Sequence, residues 1–168
     1  MTYGTLTEPT TLTIQRRLPG PIERVWKYLV DSDLRRQWLA SGDMELREGA
    51  TFELVWRNDE LSSTPSERPE GFSAEGRATC RILEVDPPHK LRYDWPNVGE
   101  VTFELKATGK DVVLTVVHRK VPDRRLALMV GAGWHMHLDF LVARMTGTDP
   151  GPFWTGWKKL HAEYETRF

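Results

Sequence analysis

Cysteine is nearly missing from this chain, with Cys80 the only one among 168 residues. No internal disulfide can form, and a zinc site built from several cysteines is excluded. A lone thiol fits a reducing compartment, so the expected location is cytoplasmic. An excess of charge is missing too. The 23 basic residues face 24 acidic ones, for a formal net of −1. Nucleic-acid binders carry a basic excess, so no nucleic-acid partner is expected. The doublets Arg35-Arg36, Arg124-Arg125 and Lys158-Lys159 are too short to form a patch and are expected on solvated helix faces. No uninterrupted apolar run of about 18 residues stands out, and no membrane span is expected. The opening MTYGTLTEPTTLTIQRR has no basic stretch leading into an apolar one, so no signal peptide is expected.

What the chain does have is tryptophan, seven in all. Seven indoles either build a large core or line an aromatic pocket. The length fits one domain, and a domain of this size buries roughly 70% of its unfolded surface, enough for a core without staples. Residues 1–9 are expected to be a tail and residues 10–168 a single domain.

Residues 10–18 alternate Leu12 and Ile14 against threonines, which predicts a strand. Pro21 then suits the first turn of a helix carrying Ile22, Val25, Trp26 and Leu29. A second short helix is predicted from Asp33 to Leu39, capped by Ser32 or Asp33 and ended by Gly42. Strands fill the middle. Phe52, Leu54 and Trp56 share one face of residues 50–57. Residues 58–71, NDELSSTPSERPEG, form a polar loop long enough to be functional or mobile. In residues 72–85 the alternation of Ala78, Cys80 and Ile82 is out of step with Leu83 and Val85, and a bulge would reconcile them. Leu91, Tyr93 and Trp95 alternate next, then Val101, Phe103 and Leu105, then Val112, Leu114, Val116 and His118. Beyond residue 123 the period lengthens to about 3.6. Val130, Trp134, His137, Leu138, Leu141 and Met145 trace one stripe of a long helix, and Phe153, Trp157, Leu160 and Tyr164 one side of a terminal helix. The predicted class is α+β: a curved antiparallel sheet of about six to seven strands wrapped around a long C-terminal helix, with two short helices after the first strand.

His135 and His137 sit two apart, so on a helix they point ~200° apart and cannot share a metal. His135 and Asp139 have the i, i+4 spacing of an exposed or intrahelical contact, but two ligands are too few for zinc; no metal is expected. His137, on the inward stripe, reads either as a core histidine satisfied by one hydrogen bond or as a polar anchor on a cavity wall. Trp56, Trp95 and Trp134 read either as ordinary core or as a stacking wall for a flat ligand. Trp26, Trp38, Trp154 and Trp157 are expected to pack the short and terminal helices. Arg77 is expected to point outward, and Cys80 to be a small buried residue. Glycines 71 and 76 are not a phosphate loop, because the GxxxxGK[ST] pattern is missing.

The segments PIERVWKYLVDSDLRRQWLASGDMELREGATFEL (21–54), ERPEGF (67–72), ILEVDPPHKLRYDW (82–95), GEVTFEL (99–105) and GWHMHLDFLVARM (133–145) resemble the activator of heat-shock-protein-90 ATPase-like family, of the START/SRPBCC superfamily. The resemblance runs over roughly residues 10–165. It implies a helix-grip fold, START-like or Bet v-type, with a cavity between sheet and helix. It brings no catalytic motif and no cofactor to any position here. It implies binding of a small hydrophobic or aromatic ligand in that cavity. Candidate lining residues are Phe52, Leu54 and Trp56, then Tyr93 and Trp95, then Phe103, Leu105 and His118 from the strands, and Trp134, His137, Leu138 and Leu141 from the helix. A first alternative is a co-chaperone-like interaction module stimulating a heat-shock protein 90 type ATPase. No counterpart of the separate N-terminal domain of the eukaryotic activators is expected in these 168 residues. A second alternative is a polyketide cyclase- or hydrolase-like enzyme with His137 or His118 as acid–base, although no triad, metal set or cofactor motif accompanies them. A monomer or homodimer is expected.

Overall fold

The computed structural model describes residues 2–168. Strand β1 (Thr5–Glu8) pairs with β2 (Thr11–Pro19); helices α1 (Ile22–Val30) and α2 (Ser32–Arg35) follow. Then come β3 (Thr51–Trp56), β4 (Gly76–Asp86), β5 (Lys90–Trp95), β6 (Gly99–Thr108) and β7 (Asp111–Arg119), and finally α3 (Arg124–Thr146) and α4 (Phe153–Glu165). The seven strands form one antiparallel sheet in the order β1-β2-β7-β6-β5-β4-β3. Period-two patterning fixes its inner face: Ile14, Leu18, Phe52, Leu54, Ile82, Tyr93, Phe103 and Leu114 are all buried. The expected bulge exists, as a register shift between Ile82 and Glu84. Arg77 points outward and pairs with Glu53 at 2.6 Å. Cys80 is buried, and desolvation pushes its thiol up to about 12, so it is inert at neutral pH.

Residues 5–8 are not tail. TLTE is too short for alternation to reveal a strand, yet it pairs with β2 in the register Thr5↔Thr13 and Leu6↔Leu12. Side chains stitch the same segment to α4. The Gly4 N–H donates to the Tyr164 hydroxyl at 2.7 Å, Tyr3 donates to Glu163 at 2.7 Å, and the Arg167 guanidinium lies 3.6 Å above the Tyr3 ring.

Helix α2 is shorter than its pattern predicts, and its cap is Asp31, which accepts from the Leu34 N–H at 3.1 Å. The chain breaks off because Arg35 turns inward. Its guanidinium donates to the carbonyls of Leu29, Val30, Ala40 and Gly42, and the residue is 2% exposed. That corrects the solvated reading of Arg35-Arg36 for its first member. Gly42 completes this corner: at φ +140° a Cβ there would stand 1.7 Å from the Glu53 carbonyl oxygen.

Helix α3 starts with Asp123 capping the Leu126 N–H at 2.9 Å and ends at Gly147 in the left-handed conformation, φ 74°. Its predicted stripe is buried, but so are Ala132, His135, Met136 and Phe140 on other sides. The reason is α4, which packs on the face turned away from the sheet. The two helices approach so closely at Gly156 that a Cβ would meet Met136 Sδ at 2.7 Å. Apolar on more than one side, α3 has the length and hydropathy of a membrane span, although no such span is expected from the sequence; 72% of that window is buried within this domain. Where α3 crosses β2, Arg16 on the sheet's inner face pairs with Asp139 at 3.1 Å.

Candidate aromatic cleft

Strands β3 and β5 end, and β4 begins, at one end of the sheet. Trp56 pairs with Gly76, and Trp95 with Gly99. Cross-strand partners share a face, so glycine opposite each indole puts no side chain in its way. The Trp56 and Trp95 rings stack at 5.1 Å with an 18° interplanar angle. Helix α3 supplies Trp134, His137, Val130 and the side-chain-free Gly133. Helix α4 supplies Phe153, Trp154 and Trp157. Between them lies a cleft of about 240 Å³.

The 58–75 loop forms its lip. Phe72 lies against Trp154 and Trp157 at 5.1 and 5.2 Å. The loop is pinned rather than free. The residue before α4 is Pro152, which has no capping side chain, and loop serines take that role: Phe153 N–H donates to Ser62 Oγ at 3.2 Å and Trp154 N–H to Ser66 Oγ at 3.1 Å. The Trp154 indole N–H donates to Asp59 at 2.7 Å.

Two histidines hold the wall. Trp134 Nε1–H donates to His118 Nδ1 at 3.0 Å, and a carbonyl can only accept, so His118 Nε2–H donates to Val98 O at 3.0 Å. Both nitrogens are satisfied, and burial pushes this histidine down to about 4, so it stays neutral and fixes the Trp134 ring. By the same logic His137 Nδ1–H donates to the Trp38 carbonyl at 2.8 Å. Burial lowers it to about 4 as well. Its Nε2 therefore keeps a free lone pair. That atom makes no hydrogen bond within the protein and belongs to a residue lining the cleft. Asn58 adds a buried side-chain oxygen without a donor.

Of the twelve residues predicted to line a cavity, Trp56, Trp95, Trp134 and His137 lie on the cleft. Phe52, Leu54, Tyr93, Phe103, Leu105, Leu138 and Leu141 fill the solid interior instead. His118 stands behind Trp134 rather than on the surface of the cleft. Phe72, Trp154 and Trp157 were missed as lining residues, the last two having been assigned to packing alone. The i, i+3 spacing of Trp154 and Trp157 on α4 was the available signal.

His135 makes the expected intrahelical approach to Asp139, but from a buried rather than an exposed position. Its Nδ1 meets the Tyr164 hydroxyl at 2.9 Å, and its Nε2 lies 3.6 Å from Asp139 without a hydrogen bond. Burial and the Arg16 charge press it down to about 3. Thus His135 and His137 serve opposite sides of α3. Among the described residues no cluster of three or more His, Cys, Asp or Glu is placed to hold a metal ion.

Across Leu39 lies a larger polar hollow of about 500 Å³. Its arginines are engaged already: Arg57 with Glu75 at 2.8 Å, Arg36 with Glu60 at 3.9 Å, and Arg144 with the carbonyls of Gln37 and Leu61. The smaller aromatic cleft is the better candidate, because its walls are mostly aromatic and apolar, and Asn58 Oδ1 and His137 Nε2 on its lining residues lack partners.

The sequence profile of the family described as Activator of Hsp90 ATPase homolog 1-like protein matches residues 19–146. A protein from Bordetella parapertussis, solved in solution, is 36% identical over 99% of this chain and 90% of its own, with a TM-score of 0.82. CalU16 from Micromonospora echinospora is 23% identical over 93% of this chain and 86% of its own, TM-score 0.69. DynU16, a protein in the dynemicin biosynthetic locus, is 18% identical over 84% of this chain and 49% of its own, TM-score 0.63. At those identities the last two show the fold alone. No curated protein matches the chain.

Proposed function

Because the chain belongs to the Activator of Hsp90 ATPase homolog 1-like family, whose helix-grip fold it has, we propose that it is a small-molecule binding protein whose ligand is flat, apolar and aromatic. The observation that carries this reading is the stacked Trp56–Trp95 pair facing Trp134, Trp154 and Trp157 across a void. Aromatic rings gain from stacking and edge contacts beyond their area, and a flat ring system fills a slot between indoles. The volume, about 240 Å³, lies just under the ~300 Å³ at which drug-sized pockets begin. It suits a small fused-ring compound. A larger ligand requires the Phe72 lip to move.

Catalysis finds less support. A histidine held near 4 is a weak base at neutral pH, and no nucleophile or carboxylate is hydrogen-bonded to His137.

Tryptophan-fluorescence titration and thermal shift against naphthalenes, flavonoids and fatty acids test the proposal. Fused-ring aromatics are expected to quench the indoles and raise Tm. Trp56→Ala, which removes half of the stacked pair, is expected to weaken binding by roughly tenfold, the scale of one aromatic contact plus its buried area. No binding across the panel would reject the reading.

A further inference from the structure

Resting on that binding reading, we infer that the ligand carries a hydroxyl on its ring, a phenol, donated to His137 Nε2. Three observations lead there. First, the Trp38 carbonyl can only accept, so the bond at 2.8 Å holds the His137 proton on Nδ1 and leaves Nε2 an acceptor. Second, that acceptor makes no hydrogen bond within the protein, and its residue lines the cleft beside Phe153, with ring centroids 4.9 Å apart. Third, Asn58 Oδ1, on another residue of the cleft, is a buried acceptor without a donor. Both of these acceptors call for a donor. A hydrocarbon would bury them unpaired, at a cost. A carboxylate or a ring ketone would bring a further acceptor against them. A ring hydroxyl satisfies one of them while the ring itself stacks on the indoles. Low proton affinity at His137 keeps Nε2 unprotonated through the neutral range, so the preference holds at neutral pH.

A matched set of probes tests this on the unaltered protein: naphthalene, 2-naphthol and 2-methoxynaphthalene. The three share one ring system, and only 2-naphthol donates. It is expected to bind roughly tenfold tighter than the other two, the scale of one net hydrogen bond. The ¹⁵N resonance of His137 Nε2 is expected to shift with 2-naphthol and to stay put with naphthalene. His137→Phe is expected to bring the three affinities together. Equal affinities of 2-naphthol and naphthalene for the unaltered protein overturn the phenol inference and leave aromatic binding standing. Binding by none of the three overturns both. Tighter binding of 2-naphthol with an unmoved His137 resonance overturns the assignment to His137.

Discussion

Between pH 7 and pH 5 the fold is expected to lose about 6 kcal/mol of stability. The cause is three histidines buried in the neutral form: His118 and His137, each lowered to about 4, and His135, lowered to about 3. Desolvation is the largest cause at each. A histidine whose folded pKa lies below its unfolded value takes up a proton more readily when unfolded. Its contribution is therefore fully present above the unfolded value of about 6.5. It is lost as pH falls through the window from there to the folded values. At pH 5 each of the three accounts for about 2 kcal/mol. Asp139 runs the other way, since burial raises its carboxyl, and offsets part of the loss. Domains of this kind have only about 5–15 kcal/mol in hand, so cooperative acid unfolding is expected between roughly pH 4 and 6. Urea titrations followed by circular dichroism at pH 7, 6 and 5 measure it. A loss below ~1 kcal/mol over that range would mean that the histidines are not held as described.

Arg35→Met is expected to destabilise the domain by about 3–5 kcal/mol, while Arg36→Met next to it costs under ~0.5 kcal/mol. Arg35 is sealed beneath the corner that joins α1, α2 and the 40–42 segment, and it donates to four carbonyls of that corner. A thioether fills most of the volume but donates nothing, so these buried oxygens lose their partner. Desolvation lowers the Arg35 pKa, and the carboxylate charges of Asp31 and Asp43 act in the opposite sense. Arg36 is exposed and reaches only Glu60, at 3.9 Å. Neighbouring substitutions of the same type, differing only in direction, make the comparison direct: similar urea midpoints for the two variants would contradict the described corner.

Much of the architecture could be read from the sequence. Alternation located β2 to β7 and even required the bulge in β4, because two apolar phases cannot share one face of a regular strand. What alternation cannot report is depth along a strand. Phe52, Leu54 and Trp56 point the same way, yet the first two pack against the core and only the third reaches the open end. For the same reason Tyr93 is core and Trp95 is cleft. The doublet Arg35-Arg36 looked like any charged helix face, because nothing local says that a chain will bend around one guanidinium. Helix α4 read correctly as amphipathic. That its apolar side would cover α3 and the cleft at once depends on the loop serines that hold its start, a contact between residues 88 and 91 positions apart. The N-terminal strand was invisible because four residues carry too little pattern.

Two indoles lying nearly parallel at 5.1 Å are also coupled chromophores. Their transitions mix, and a signed couplet in the far-ultraviolet dichroism follows from their fixed relative orientation. The domain thus carries an optical gauge at the place where a guest would enter, and any molecule that parts or tilts Trp56 and Trp95 announces itself without a label.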